Sequence, residues 1–133
     1  MKYLLCRCRN YALLIPADRV EEVAPATGAT ASGYREWRDQ GLPVVDLSAL
    51  LGVPPGEPRH HIVCRNTGGA DAILTVLEVD RAEELREHEE TDFLAFPSVT
   101  SFVAQCFDGA VPEPGTGHCL YRLRLPLPSP PAA

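Results

Sequence analysis

With 133 residues the chain is near the commonest size of a single domain, and its 45% hydrophobic and 23% charged residues are ordinary values for a globular protein. The formal net charge is −6 and no basic stripe is visible, which argues against nucleic acid as a partner. The 13 prolines favour short strands and many turns, because proline cannot donate a hydrogen bond to a helix or a sheet ladder.

The acidic imbalance lies in one segment, residues 78–92. This segment holds eight aspartates and glutamates against Arg81 and Arg86, whereas the rest of the chain carries ten acidic and ten basic residues. A run of like charge of this kind is typical of a solvated face.

The first apolar run ends at Cys6, because Arg7 and Arg9 follow. It is too short for the apolar core of a signal peptide, which takes about 7–15 residues. Five cysteines in a chain without an export signal predict reduced thiols in the cytoplasm, with no insertion into a membrane.

In chain order, the first predicted elements are two strands. Leu4, Cys6 and Cys8 alternate with Leu5 and two arginines, which predicts a strand with one apolar face and one largely exposed face. Arg9-Asn10 suits a tight turn, since asparagine tolerates positive φ. A second strand over residues 11–15 should end at Pro16.

The middle of the chain predicts a turn, a loop, two strands and a helix. Residues 18–23 indicate a polar turn or one helical turn, residues 24–33 a loop, and residues 34–38 and 42–45 strands. Residues 46–52 predict a short helix, which Asp46 would cap and Gly52 would end in the left-handed conformation.

The second half repeats this plan. Strands are predicted over residues 62–65 and 73–79 around a turn at 66–69, and over residues 102–107 and 119–125 around a loop opened by Asp108-Gly109. Residues 80–90 are ambiguous, with a thin helical stripe from Ala82 and Leu85 that allows a short helix after Asp80. The domain is expected to cover residues 1–125, followed by a proline-rich disordered tail at 126–133.

Two segments of the sequence resemble each other. Residues 15–23 and 77–85 each place an apolar strand end before the pattern Asp-Arg-x-Glu-Glu and an apolar residue, 62 positions apart. Either the charged residues match by chance, or a small β unit is duplicated. Duplication accounts for more of the sequence.

The residues with chemical potential do not form a catalytic set. The sequence has no nucleophile elbow, phosphate-binding glycine loop or His-Glu-x-x-His motif, so we expect no enzyme activity. His60 and His61 are adjacent and would point to opposite faces of a strand, which favours a single exposed histidine. A thiol or zinc site is the alternative in another class, with the candidate ligands Cys6, Cys8, Cys64, Cys106, His118 and Cys119.

The cysteines favour packing over chemistry. The Cys-x-x-Cys spacing of zinc sites is missing, and each cysteine has apolar neighbours. A buried free cysteine behaves as a small apolar side chain. We therefore expect no metal and no cofactor, and reversible protein binding is the default function.

Several blocks, in order, resemble the CheW-like domains of bacterial chemosensory systems. Residues 12–23 look like the family's apolar-Pro-x-acid-x-Val-x-Glu-Val stretch, and residues 77–85 look like its later Leu-x-Val-Asp-x-Val-x-Glu-Val block. The most specific part is residues 33–51, where Gly33 and Arg38 precede Leu-Pro-Val-Val-Asp-Leu. The last strand, residues 120–125, is similar to the family's closing strand, so the resemblance covers nearly the whole chain up to Pro126.

The resemblance implies an all-β fold of two small five-stranded SH3-like barrels packed together, with short helices. It implies a non-catalytic adaptor that couples the regulatory domain of a CheA-type histidine kinase to the cytoplasmic tip of a chemoreceptor. An ion pair between Glu22 and Arg38 is also implied. The implied partner-binding residues are Val20, Glu22, Gly33, Arg38, Leu42, Pro43 and Val44.

The sequence departs from the family pattern near this surface. Asp39 stands where the family usually has glycine, Arg35 and Glu36 replace apolar residues, and Arg124 replaces an acid in the closing strand. The loop over residues 25–33 is also shorter than usual. A CheW-like module that binds another signalling partner is therefore an alternative to the chemosensory coupler.

Overall fold

A computed structural model describes residues 1–26, 33–67, 72–95 and 102–127. Within these ranges the chain is mostly β-strand, with two short α-helices and single 3-10 turns at Ala17–Arg19 and Glu90–Asp92. The strands are β1 (Lys2–Cys8), β2 (Tyr11–Pro16), β3 (Val20–Pro25), β4 (Tyr34–Trp37), β5 (Gln40–Asp46), β6 (His60–Arg65), β7 (Leu74–Val79), β8 (Arg81–Glu87), β9 (Phe107–Pro112) and β10 (Cys119–Leu123); the helices are α1 (Leu47–Leu51) and α2 (Phe102–Gln105).

The strands form two five-stranded sheets with the same plan. Sheet 1 has the order β8-β1-β2-β10-β9, and sheet 2 has the order β3-β6-β7-β5-β4. In each sheet one pair of strands is parallel, β2 with β10 and β5 with β7, and the other pairs are antiparallel. Sheet 2 is continuous in sequence, whereas sheet 1 is assembled from both ends of the chain.

The repeated segments mark the two places where the chain crosses between sheets. The first segment runs from β2 of sheet 1 into β3 of sheet 2, and the second runs from β7 of sheet 2 into β8 of sheet 1. Each ends in an edge strand with one extra residue relative to its partner, at Glu21 in β3 and at Glu83 or Glu84 in β8. Such β-bulges are typical of sheet edges. The matching topology and bulges support a duplicated unit.

Three apolar clusters hold the fold together. The largest is shared by both sheets, with Cys6 and Leu13 from sheet 1 and Ile62 and Leu77 from sheet 2. The other two belong to one sheet each. The sheet 1 cluster is Tyr3, Leu5, Ala12, Leu14 and Leu120, and the sheet 2 cluster is Trp37, Leu42, Val63 and Val76. Each sheet therefore curls around its own interior and packs its outer face on the other, which is the predicted pair of small barrels.

Both faces of β1 are buried, so the prediction of a largely exposed second face is wrong. Leu5 is completely buried inside the first barrel while Cys6 is completely buried between the barrels. The turn that follows is at the expected place, but Arg9 has the positive φ of 53°. Asn10, the residue expected to have it, does not.

Four predicted elements differ in the structure. Residues 20–25, expected as part of a turn and a loop, form the edge strand β3. Residues 102–105 form α2, and β9 begins at Phe107, so Asp108-Gly109 lies within a strand and does not open a loop. The short apolar run had no periodicity that separates helix from strand. Residues 81–87 form β8 instead of a helix, because they pair with β1 along the sheet edge.

The helix predicted over residues 46–52 is confirmed as α1. The Asp46 carboxylate accepts hydrogen bonds from the backbone N–H groups of Ser48 (3.0 Å) and Ala49 (3.3 Å). Gly52 ends the helix with φ 73°. These contacts satisfy free backbone groups at both ends of the helix.

The C-terminal strand continues into a segment that packs on the shared cluster. Leu125 and Leu127 contact that cluster, and the Leu127 N–H donates to Asn66 Oδ1 at 2.9 Å. The rest of the predicted tail, residues 128–133, lies outside the described residues. Parts of the predicted loop at 24–33 and of the turn at 66–69 lie outside them as well.

Four cysteines are buried and form no disulfide: Cys6, Cys8, Cys64 and Cys106. Burial raises the pKa of Cys6 and Cys8, and raises the pKa of Cys64 to about 12. These thiols stay protonated near neutral pH, because the thiolate would be a charge without solvent. They pack as the apolar side chains that the sequence predicts.

Candidate docking surface

The predicted partner-binding residues come together on sheet 2, along β3 and the β4–β5 hairpin. β3 and β4 are the two edge strands of this sheet, and β5 lies next to β4. Side-chain hydrogen bonds connect the two edges. Trp37 Nε1 donates to Glu22 Oε2 at 3.1 Å, and Arg35 Nη1 donates to the Pro25 carbonyl oxygen at 3.0 Å. The second barrel is therefore closed by side chains at the place where a partner was expected to dock.

Trp37 contacts both charged residues of this candidate surface, and the sequence reasoning did not select it. Its ring is buried with Leu42 and Val63 in the interior of the second barrel. The Arg38 guanidinium carbon lies 4.3 Å from the centre of the Trp37 ring, a cation–π geometry. The signal available in the sequence was that this single tryptophan immediately precedes Arg38.

No ion pair joins Glu22 and Arg38 among the residues that the structure describes, so the predicted pair is wrong. Trp37 lies between the two side chains, binding Glu22 at its indole nitrogen and Arg38 at its ring face. The two charged groups are therefore near one another but are held by a common aromatic residue. Arg38 is exposed and free of carboxylate contacts in this part of the chain.

The β4–β5 hairpin turns through Arg38 and Asp39, which both have positive φ, 45° and 63°. Two residues with positive φ between paired strands form a type I′ turn, which favours glycine at its second position. Gly33, just before β4, has φ 77° with nothing near its Cα that would hinder a side chain. Its role is conformational, and its carbonyl oxygen accepts from the Val44 N–H at 2.9 Å.

Three of the predicted partner-binding residues pack against the apolar clusters and do not face the docking surface. Leu42 is buried inside the second barrel, Val44 is half-buried against the same cluster, and Val20 packs on the shared cluster. Pro43 is exposed. A partner can therefore touch Pro43, whereas Leu42 shapes the hairpin from inside.

Two exposed apolar side chains lie on the same strands, and the sequence reasoning did not select them. Tyr34 on β4 is 57% exposed and pairs across the hairpin with Pro43, while Val23 on β3 is 43% exposed. We call Val23, Tyr34, Pro43, Arg38 and Glu22 the docking face. These residues combine exposed apolar side chains with charged ones, the composition of an interface with an apolar centre and a polar rim.

A buried histidine contacts Arg35 of the β4–β5 hairpin, whereas the sequence predicted a single exposed histidine. His61 is completely buried, and its Nδ1 lies 2.8 Å from Arg35 Nη1. Because the guanidinium can only donate, Nδ1 is the acceptor and the ring is neutral. Burial lowers the pKa of His61, against the opposing effect of Glu78, whose Oε2 is 3.5 Å from Nε2.

Arg59 links Glu78, which faces His61, to Asp80 at the junction between the barrels. Its side chain is only 11% exposed, and its guanidinium binds Asp46 at 2.6 Å, Glu78 at 2.8 Å and Asp80 at 3.2 Å. Several acids of the acidic segment are thus engaged in ion pairs, which the interpretation as a solvated face did not predict.

The described residues offer no group of three or more His, Cys, Asp or Glu that could hold a metal ion. None of the described helices is long and apolar enough to cross a membrane. What the docking face can supply is shape, apolar contact and hydrogen bonds to another protein.

The fold is a pair of packed five-stranded barrels, and side chains close the second barrel beside the candidate docking face. These features are typical of a small interaction domain. The sequence matches the CheW-like domain over residues 2–109, and the chain belongs to that family, which is a family of non-catalytic scaffolds. The scaffolding protein TtCheW from Thermoanaerobacter tengcongensis has the same fold, with a TM-score of 0.73 at 18% identity over 93% of this chain and 88% of that chain. Comparison with curated proteins gives no matching sequence.

Proposed function

We propose that this domain is a chemosensory adaptor, which binds the regulatory domain of a CheA-type histidine kinase and the cytoplasmic tip of a chemoreceptor. Membership of a scaffold family supports a binding function. The observation that carries the proposal is the docking face, where Arg38 is stacked on buried Trp37 at the turn of the hairpin whose strands also expose Tyr34 and Pro43. The proposed setting is the cytoplasm, with no cofactor.

The Arg38 guanidinium is well prepared to bind a carboxylate of the partner. Its stacking on Trp37 restricts the side chain before binding, which lowers the entropy lost on association. It has no carboxylate partner among the described residues, so a partner would not have to displace one. A guanidinium desolvated against a carboxylate is worth several kcal/mol to a complex.

The test is a titration of the purified domain with the kinase regulatory domain and, separately, with a receptor tip fragment. We expect Arg38→Glu to weaken binding by about 2–5 kcal/mol, mainly through faster dissociation. The control is Arg86→Glu, which makes the same charge change on β8, where Arg86 pairs with Glu84 at 2.9 Å. This control should leave affinity within about 1 kcal/mol of the parent.

Failure of the folded domain to bind either partner at tens of micromolar would remove the chemosensory coupling role and leave the family membership intact. In that case Arg35 and Glu36, which replace apolar residues of the family pattern, favour a different signalling partner. If Arg38→Glu and Arg86→Glu weaken binding equally, long-range charge would explain the effect and the docking face would be misplaced.

A further inference from the structure

A cavity of about 530 Å³ lies at the junction between the barrels, apart from the residues of the docking face. Arginines from three positions line it: Arg7 and Arg9 at the end of β1, and Arg81 at the start of β8. Glu57 and Asp80 are the acids of the wall, and His60 also lines it. Its volume is that of a small-molecule site, about 300–1,000 Å³. Three arginines in one cavity are unexpected in a chain of net charge −6.

The Arg9 guanidinium is fixed in place without a carboxylate. Its Nε donates to the Pro54 carbonyl oxygen at 2.9 Å and its Nη2 donates to the Pro55 carbonyl oxygen at 3.1 Å. Among the described residues it forms no ion pair. A guanidinium has five N–H groups, so Arg9 keeps donors for a ligand while its own position is held.

Arg81 differs from its counterpart in the repeated segments. At the first crossing Arg19 donates to the backbone carbonyl oxygens of Arg65 (3.2 Å) and Asn66 (3.4 Å), which is a structural role. At the second crossing Arg81 has a side chain that is 62% exposed, with Glu83 at 3.7 Å as its ion-pair partner. Glu83 is already bound by Arg7. Arg81 therefore shares one carboxylate with Arg7 and keeps an exposed side chain at the cavity wall.

The acids at the cavity do not cancel this charge. Asp80 Oδ1 accepts from the Gly56 N–H (2.8 Å) and from Arg59 (3.2 Å), and Oδ2 accepts from the Arg9 N–H (2.8 Å). Both Asp80 oxygens are thus occupied by contacts within the protein, although Asp80 shares Arg59 with Asp46 and Glu78. Glu57 is exposed at the rim, and the lining as a whole has three arginines against two acids.

We propose that this cavity binds a small phosphorylated anion, with Arg9 and Arg81 contacting the phosphate oxygens. The guanidinium matches phosphate geometry through paired hydrogen bonds, so two arginines at one cavity suit this ligand class. The ligand would touch residues of both barrels and would stabilise the folded domain by mass action. The inference does not depend on the proposed docking role.

The test is calorimetric titration of the full chain with inorganic pyrophosphate at constant ionic strength. Arg9→Gln and Arg81→Gln should each raise the Kd about tenfold or more. Arg86→Gln removes the same charge from the same strand as Arg81 but lies outside the cavity wall, and it should leave the Kd unchanged. Glu57→Gln should lower the Kd, because it removes the acid at the rim.

Three results would overturn the proposal. One is the absence of pyrophosphate binding at millimolar concentration. Another is equal weakening by Arg81→Gln and Arg86→Gln, which would indicate non-specific charge. The third is tighter binding of a glutamate-rich peptide that pyrophosphate displaces, which would assign the cavity to a protein partner. Arg81 is exposed, so its variant stays informative even if Arg9→Gln fails to fold.

Discussion

At the residue scale, Arg59 joins elements that are distant in sequence. It binds carboxylates at the end of β5, within β7 and at the crossing into β8, and its Nη1 also donates to Ser48 Oγ at 3.2 Å. Glu78 and Asp80 have side chains that are 12% and 14% exposed. Carboxylates with so little solvent depend on the guanidinium for their charge balance.

We expect Arg59→Leu to lower the free energy of unfolding by about 3–5 kcal/mol, because it leaves nearly buried carboxylates without a cation. Urea unfolding at neutral pH measures this loss. The matched control is Arg81→Leu, where the exposed side chain should change stability by about 0.5 kcal/mol or less. A loss below 1 kcal/mol for Arg59→Leu would mean that water replaces the arginine, and the network would not be a stabilising element.

His61 makes stability depend on pH. Burial lowers its pKa in the folded state from the ordinary 6.5, with Arg35 and Arg59 acting in the same direction and Glu78 against it. As pH falls below 6.5 the unfolded chain therefore takes up the proton first, so stability falls until the pH reaches the lower pKa of the folded state. The slope from this one group is at most about 1.4 kcal/mol per pH unit.

Urea unfolding between pH 7.5 and 5.5 tests this expectation. His61→Asn keeps an acceptor for Arg35 but cannot titrate, so it should flatten the dependence. His118→Asn, which changes an exposed histidine before β10, should leave it as in the parent. An unchanged slope in His61→Asn would assign the effect to other groups.

At the element scale, the β4–β5 hairpin explains one departure from the family pattern. The family usually has glycine after the arginine of this block, and here Asp39 occupies the second turn position with φ 63°. A side chain in the left-handed region is strained, although aspartate tolerates it better than most residues.

We therefore expect Asp39→Gly to stabilise the domain by about 0.5–1 kcal/mol, with relief of strain exceeding the added flexibility of the unfolded chain. Thermal unfolding measures the change. Gly41→Ala on β5 is a useful comparison, because Gly41 has an ordinary φ and open space around its Cα. A lower melting temperature for Asp39→Gly would show that the aspartate side chain itself stabilises the turn.

At the scale of the whole molecule, the two barrels depend on each other. The largest cluster contains residues of both sheets, and sheet 1 needs the two ends of the chain. A unit of about 60 residues buries too little surface to be robust by itself. We expect a single cooperative transition, without a stable state in which one barrel is folded.

This expectation can be measured with two probes in the same urea titration. Trp37 is the only tryptophan and lies inside the second barrel, while far-ultraviolet circular dichroism reports the strands of both. The two transitions should coincide. Leu77→Ala, in the shared cluster, should shift both by the same amount and cost about 2–5 kcal/mol. Separate midpoints would show that the barrels unfold independently.

Much of this protein could be predicted from the sequence, because the features concerned are local. The positions of most strands follow from alternation and proline, α1 follows from Asp46 and Gly52, and the repeated segment follows from its charged pattern. The block from Gly33 to Leu51 indicated the family. Each of these signals depends on residues that are neighbours in the chain.

Only the tertiary structure decided which strands lie side by side and what each side chain touches. It placed Leu5 and His61 in the interior, put Trp37 between Glu22 and Arg38, and made residues 81–87 an edge strand. It also left Arg81 at a cavity while Arg19 binds carbonyl groups. These outcomes depend on pairing between distant segments, since burial and charge partners are set by contacts that periodicity along the chain does not specify.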